Sequence, residues 1–341
     1  MTTVDESISK FLHSVSISRS KNTFRTYSFA LQSFSEMLSL KNNTAEMKIS
    51  ELREDYVADF AEYLKSYSPA TEQLYLQTIM VFFEFISASE ISSPNLPRIK
   101  MLIRQRSRKS GKRLPQFPKS SIEQILDSIN QAVLELNTPQ INDFNEASME
   151  ILRIYRDRAF LFVLADTGLR VHEACGLRRG DLDWNEGHAI IIGKGNKQAL
   201  VRFSTQSMRY LKEYITMRKV LDGNGSRPLG SLPIFARHDK GAGKIIKPIS
   251  RMTGWNIVSE WANKSLGETH EEVITPHSFR HYFVTTVLRA SGNLKLAQEL
   301  ARHANITVTQ RYVHLSDDEL DRGYHQIFNE KDQINSNDSD S

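Results

Sequence analysis

A single cysteine, Cys175, occurs in the 341 residues, so no intrachain disulfide can form. No stretch reaches the ~18 consecutive apolar residues that a membrane-spanning helix needs. Nor does the N-terminus carry an apolar run that reads as a signal peptide. These absences predict a soluble, cytoplasmic protein with no membrane partner. Acidic side chains are missing altogether from residues 91–122, ISSPNLPRIKMLIRQRSRKSGKRLPQFPKSSI. Asp181, Asp183 and Glu186 do cluster in RRGDLDWNEG. No histidine–carboxylate motif accompanies them, and the composition is that of a turn ahead of a strand. No metal and no cofactor are expected. Cys175 sits in VHEACGL, an amphipathic helical context that predicts a buried structural thiol.

What is present is ordinary globular material, 40% hydrophobic and 25% charged. The length suggests about two domains at ~150 residues each. Formal net charge is only +4, so any basic surface must come from distribution rather than sum. In NTFRTYSFALQSFSEML, Phe24, Tyr27, Leu31, Phe34 and Leu38 recur at helical spacing. A second helix is expected over 49–64, with Leu52, Phe60 and Leu64 inward. A third starts at Ser68, an N-cap followed by Pro69, and buries Tyr75, Ile79, Phe82 and Ile86. Together they predict an all-helical domain over 1–97.

A basic linker is expected over 98–114, with Arg104, Arg106, Arg108, Lys109, Lys112 and Arg113 as candidate phosphate contacts. A second domain over 115–330 should open with a helix capped by Ser121 and running to about Val133. Residues 137–148 read as a polar loop or insertion. A largely buried helix follows, ending at Gly168. Two apolar runs, 189–192 and 199–203, flank Gly-Lys-Gly-Asn-Lys and predict a hairpin with Lys194 and Lys197 at its tip. Further helices are expected near 205–219, 251–265, 276–290 and 295–303, with a short one before Tyr312. Leu320, Tyr324 and either Ile327 or Phe328 give a last helix an apolar face. Residues 331–341 read as a disordered tail.

Polar residues suited to phosphate chemistry gather at helix ends and in the hairpin. Arg170 in TGLRVHEACGL can fork two donors onto phosphate oxygens. Glu173 lies on the same helical face and can hold Arg170 or His172. Lys194 follows, and then TPHSFRH, where His277, Arg280 and His281 share one helical face. LARHANITVTQRYVH adds His303 and Tyr312. Singly, each has an ordinary explanation as a surface charge, a cap or a packing residue.

In order they read Arg…Lys…His-x-x-Arg…His…Tyr, and with TGLRVHEACGL, IIGKGNKQALVRF, TPHSFRHYF and LARHANITVTQRYVH the chain resembles the tyrosine recombinase (phage integrase) family, Xer-like members in particular. SKNTFRTYSFALQSFSEML and SPATEQLYLQTIMVFFEFI extend the resemblance, more loosely, to the helical core-binding domain. The fold implied is mainly α with a small β-sheet: a helical core-binding domain plus an α+β catalytic domain, forming a clamp around DNA. The activity implied is site-specific recombination of double-stranded DNA through a 3′-phosphotyrosyl intermediate, without metal or ATP. By resemblance, Arg170 and Arg280 grip the scissile phosphate, Tyr312 attacks it, and Lys194 protonates the departing 5′-oxygen. His277 assists proton transfer, His303 hydrogen-bonds the phosphate, and Glu173 buttresses the site. A homotetramer on two synapsed sites is implied, with a second recombinase or accessory protein left open. The family usually has glycine where Arg302 stands, and a shorter connector where residues 137–148 lie. A non-catalytic DNA-binding protein of the same fold and a type IB topoisomerase are the competing readings. A covalent-adduct assay separates the non-catalytic reading from the first, and supercoil relaxation without defined site dependence would mark the topoisomerase.

Overall fold

The computed structural model describes residues 2–41, 47–108, 117–136, 146–192, 198–223, 227–239, 246–268, 270 and 273–310. It divides into two compact units, Met1–Arg113 and Leu114–Ser341. The first is helical among its described residues: α1 (Val4–Ser18), α2 (Lys21–Lys41), α3 (Asp55–Tyr63), α4 (Pro69–Ala88) and α5 (Leu96–Arg106). α1, which periodicity did not single out, starts from a reciprocal capping box. Thr3 Oγ1 accepts from the Glu6 N–H at 3.2 Å, and Glu6 accepts from the Thr3 N–H at 3.1 Å. Phe11 of α1 stacks on Tyr27 and meets Phe82 edge-on. Leu31, Phe34 and Leu38 of α2 are buried as their spacing predicts, while Phe24 stays partly exposed at the margin. α4 starts as expected, with Ser68 accepting from Thr71 N and Pro69 in the first turn.

Two expectations in this unit are corrected. The helix expected over 49–64 is broken into a short 3-10 turn, Ile49–Glu51, and α3. Leu52, at the break, is still buried. The segment expected as a linker from residue 98 is helical as far as Arg106. Ile99 is fully buried in the first core, with Leu96 and Ile103 packed against it. Apolar residues at i, i+3 and i+4 spacing had been masked by the surrounding charge. Arg98 is paired to Asp55 at 2.7 Å and Lys100 to Glu84 at 3.9 Å.

The second unit is built around α7 (Glu146–Thr167). Phe160, Leu161, Val163 and Leu164 of α7 are all fully buried. Apolar residues on every side suit a helix enclosed by others. α6 (Lys119–Leu134) packs on it, and starts at Pro118 rather than at Ser121. After α8 (Val171–Gly176) comes an antiparallel sheet in the order β1 (Leu182–Asp183), β2 (His188–Ile192), β3 (Gln198–Arg202). Ala189 pairs with Val201 and Ile191 with Ala199. Ala189, Ile191 and Val201 face the core, and Ile190, Ile192 and Leu200 face outward. In the Asp181–Glu186 stretch, Asp181 closes a 3-10 turn, Leu182 and Asp183 form β1, and residues 184–186 turn toward β2. Asp181 accepts from Arg178 N, and Asp183 from Asn185 N and Glu186 N.

The remaining helices are α9 (Thr205–Met217), α10 (Lys219–Gly223), α11 (Arg251–Leu266), α12 (Pro276–Ser291), α13 (Leu294–Ala301) and α14 (Ile306–Gln310). α11 approaches α7 and α8 closely at Gly254. A Cβ there would lie 2.8 Å from Val171 and 3.0 Å from the Phe160 ring. Cys175 is buried nearby, its thiol pushed up to about 12 by burial, as befits a packing residue. No described helix is long and apolar enough to cross a membrane. The hairpin tip with Lys194 and Lys197, the basic residues Lys109, Lys112 and Arg113, residues 137–145, Tyr312, the last amphipathic segment and the 331–341 tail lie outside the described residues.

Candidate phosphate-binding site

The site is organised by the end of α7. Gly168 takes φ +57 there, and a Cβ on it would lie 2.3 Å from the Phe283 ring. Glycine is therefore required both by the backbone and by the close approach of α12. The turn releases the carbonyl of Gly168 and delivers Arg170 to the N-cap of α8.

Glu173, one turn into α8, is buried. Its carboxylate accepts from the Arg170 N–H at 2.9 Å and from Arg170 Nη1 at 3.0 Å. Burial pushes this carboxyl up. The Arg170 N–H and the charges of Arg302 and Arg170 outweigh that, so its pKa ends below the usual value. Of the two partners the spacing allowed, Glu173 takes Arg170. The Arg170 side chain remains 43% exposed, with its outer face open to a ligand.

α12 supplies His277 and Arg280. Thr275 and Ser278 cap one another at its start, with Pro276 in the first turn. Arg280 is 2% exposed and aims Nη1 at the Gly168 carbonyl and Nη2 at the Ala301 carbonyl. The small core of Phe283, Val284, Leu288, Ala297 and Ala301 fixes α13 against α12, and so fixes that second acceptor. His277 and His281 form an edge-on pair 4.3 Å apart. Burial, then Arg280 and Arg170, lowers the His277 pKa. Burial, then His277 and Arg280, lowers that of His281 to about 4. Both imidazoles are neutral at pH 7.

α13 ends in a Schellman motif. The N–H of Arg302 reaches the Glu299 carbonyl at 3.0 Å, and that of His303 reaches the Gln298 carbonyl at 3.0 Å. Arg302 sits at the left-handed position, with φ 57 and ψ 43. Glycine takes that conformation freely, which is the physical reason a glycine suits this place. The motif turns His303 back toward the arginines. His303 Nδ1 contacts Thr309 Oγ1 at 2.8 Å, and Thr309 is fully buried on α14. Burial, then Arg280, Arg170, Arg302 and His277, lowers the His303 pKa to about 4.

The arrangement brings four of the six expected catalytic side chains into one electrostatically coupled group: Arg170, His277, Arg280 and His303. Preformed cations and neutral imidazoles beside a shared carbonyl can hold a phosphate diester and the charge that develops when it is attacked. Residues 135–319 match the phage integrase family. The chain belongs to that family. It is a tyrosine-type site-specific recombinase, similar along 317 residues to the tyrosine recombinase XerC of Thermodesulfovibrio yellowstonii, at 26% identity over 92% of this chain and 93% of that one. The tyrosine recombinase XerD of Neisseria meningitidis serogroup B is 36% identical over 161 residues, 47% of this chain and 51% of that one. The fold is shared with the XerH site-specific recombinase bound to palindromic difH substrate in a post-cleavage complex. That match has a TM-score of 0.65 and 20% identity, over 89% of this chain and 79% of that one.

Family membership did not flag two residues of this site. Thr309 lies in VTQRY, where nothing in its type marks it as the partner of His303. Arg302 was visible only as a departure from glycine. In the first unit, Arg104 and Arg106 are exposed at the end of α5. Arg108 is committed elsewhere, to Glu72 at 2.5 Å and to the carbonyls of Leu64 and Tyr67.

Proposed function

We propose that the chain cuts and rejoins double-stranded DNA at specific sites through a 3′-phosphotyrosyl intermediate. The observation that carries this is the convergence of Arg170 and Arg280 on the Gly168 turn, with His277 and His303 beside them. Arg170 and Arg280 hold the non-bridging oxygens of the scissile phosphate and neutralise the pentavalent phosphorane. A free tyrosine ionises at about 10, so Tyr312 attacks only where a base or a strong positive field assists it. His277, kept neutral, is suited to take that proton. The Tyr312 oxygen bonds to phosphorus as the phosphorus–O5′ bond breaks. Lys194 gives the leaving oxygen its proton. The freed 5′-hydroxyl of a second strand then attacks the phosphotyrosine, releasing the tyrosine and resealing DNA with no external energy source. His303, its Nδ1 engaged by Thr309, offers Nε2 to the phosphate.

Exposed Arg104 and Arg106, with Lys109, Lys112, Arg113 and Lys197, add phosphate contacts along the duplex. α4 and α11 are candidate readers of base edges. Recombination joins two sites, so a homotetramer working in the cytoplasm is the assembly proposed, with the segment bearing Leu320 and Tyr324 docking between protomers. The decisive experiment first selects bound duplexes from a random library with the Tyr312→Phe protein. A nicked version of the selected duplex is then incubated with wild type and resolved on a denaturing gel. A covalent adduct from wild type and none from Tyr312→Phe is expected. Absence of the wild-type adduct, or equal adduct from both, sinks the proposal.

A further inference from the structure

Arg302 is unlike a surface arginine at a helix end. Its side chain is only 11% exposed, against 43% for Arg170. It also holds a left-handed backbone, φ 57, which strains a residue with a Cβ and which glycine adopts freely. Both features need an offsetting interaction. The contacts supply it: Nη2 lies 3.4 Å from Glu173 Oε2 and 3.4 Å from the Gly168 carbonyl, and Nη1 lies 3.3 Å from the Leu300 carbonyl and 3.5 Å from that of Thr167. These are long for hydrogen bonds, so charge and placement count for more than any one of them.

The acceptors are telling. Glu173 is the anchor of Arg170, and the Gly168 carbonyl is the anchor of Arg280. Arg302 reaches both. We propose that Arg302 is a positioning residue that ties the anchors of the two phosphate arginines into one cationic unit. Glycine at this place would leave Glu173 facing Arg170 alone, and the pair would be close to neutral. Arg302 supplies a second cation to the same carboxylate, so Arg170 keeps more of its charge for the phosphate. Its low exposure, 11% of the side chain, argues against direct contact with DNA.

A charge so placed is also felt by His303, the next residue in the chain. The groups facing that imidazole are Arg170 before α8, His277 and Arg280 of α12, Arg302 itself and the Thr309 hydroxyl of α14. Removing one cation from this set raises its titration midpoint from about 4.

Two variants test the proposal. R302Q keeps bulk and donors but loses charge, and R302K restores charge on the same backbone. The first readout is the titration of His303 by NMR in the DNA-free full chain. The expected result is a midpoint raised in R302Q and returned toward wild type in R302K. The second readout rests on the recombinase reading: single-turnover adduct formation on the selected nicked duplex. About tenfold slower formation is expected for R302Q, with DNA affinity within about twofold and partial recovery in R302K. Should R302Q not fold, R302G, whose backbone suits φ 57, takes its place. An unchanged His303 midpoint overturns the assignment. So does a wild-type adduct rate in R302Q. A wild type that forms no adduct overturns the recombinase reading instead, and the titration alone then decides the role of Arg302.

Discussion

The guanidinium of Arg280 donates from Nη1 to the carbonyl of Gly168, 112 residues earlier in the chain. The contact requires α12 to lie directly on the turn that ends α7, with the Phe283 ring against the Gly168 Cα. Gly168→Ala places a methyl 2.3 Å from that ring on a backbone of φ +57. A loss of roughly 2–4 kcal/mol is expected from strain and overpacking together. Thermal denaturation of the full chain should show it as a melting point roughly 5–15 °C lower. Adduct formation should fall further than stability explains, because the shared anchor moves. A wild-type melting point would show that the ring yields freely.

Thr309 tests how His303 is held. Thr309→Val keeps shape and removes the hydroxyl that meets Nδ1 at 2.8 Å. Losing a buried partner costs about 1–2 kcal/mol, equivalent to roughly tenfold in the rate of the cleavage step. Single-turnover adduct formation should slow by that factor while DNA affinity holds. Equal slowing and weakening would mean that α14, rather than the imidazole, had moved.

Glu72 tests the first unit. Its side chain is fully buried and accepts from Arg108 Nε at 2.5 Å, the Arg108 N–H at 2.8 Å and Lys65 Nζ at 3.1 Å. Burial pushes its pKa up, and the hydrogen bonds from Arg108 and Lys65 prevail and leave it lowered. Its contribution to stability is therefore present above the unfolded carboxyl value and is lost as pH falls through the lower folded one. Glu72→Ala should destabilise the unit by about 3 kcal/mol, somewhat less in high salt because Arg108 and Lys65 are partly solvated. Urea denaturation at neutral pH measures it. The gap to wild type should narrow at acid pH.

Histidine burial sets a second pH dependence, in the second unit. His238, His281 and His303 are lowered to about 3, about 4 and about 4. Each is neutral when folded and takes a proton more readily when unfolded. Stability is thus complete above the ordinary histidine value of 6.5 and declines as pH falls from there toward 4. Asp166, raised to about 6 chiefly by burial, acts in the opposite sense between its ordinary 3.8 and 6. With His277 also lowered and buried Asp157 also raised, four histidines against two aspartates predict a net fall on acidification. Melting temperature recorded from pH 7.5 to 4.5 gives the sign directly, and a rise toward pH 5 would contradict it.

The sequence by itself determined the ordered chemistry of the site and the helices that present it. Ser68-Pro69 and Thr275-Pro276 start helices because capping and a fixed proline φ are local effects. Two apolar runs, 189–192 and 199–203, on either side of Gly-Lys-Gly-Asn-Lys made the strands legible because short apolar runs bounded by turn residues are a local signal. Local rules also misled where tertiary burial prevailed. Charge along residues 98–106 suggested a linker, yet fully buried Ile99 anchors a helix there. Arg108 read as a free phosphate contact, and only the fold brings it onto Glu72. The same holds for Arg302, whose sequence context showed only a departure from glycine. Its role depends on a left-handed helix end meeting a carboxylate and a carbonyl from elements well over a hundred residues away, 129 and 134 positions. Such meetings depend on how helices pack, and no local periodicity encodes them.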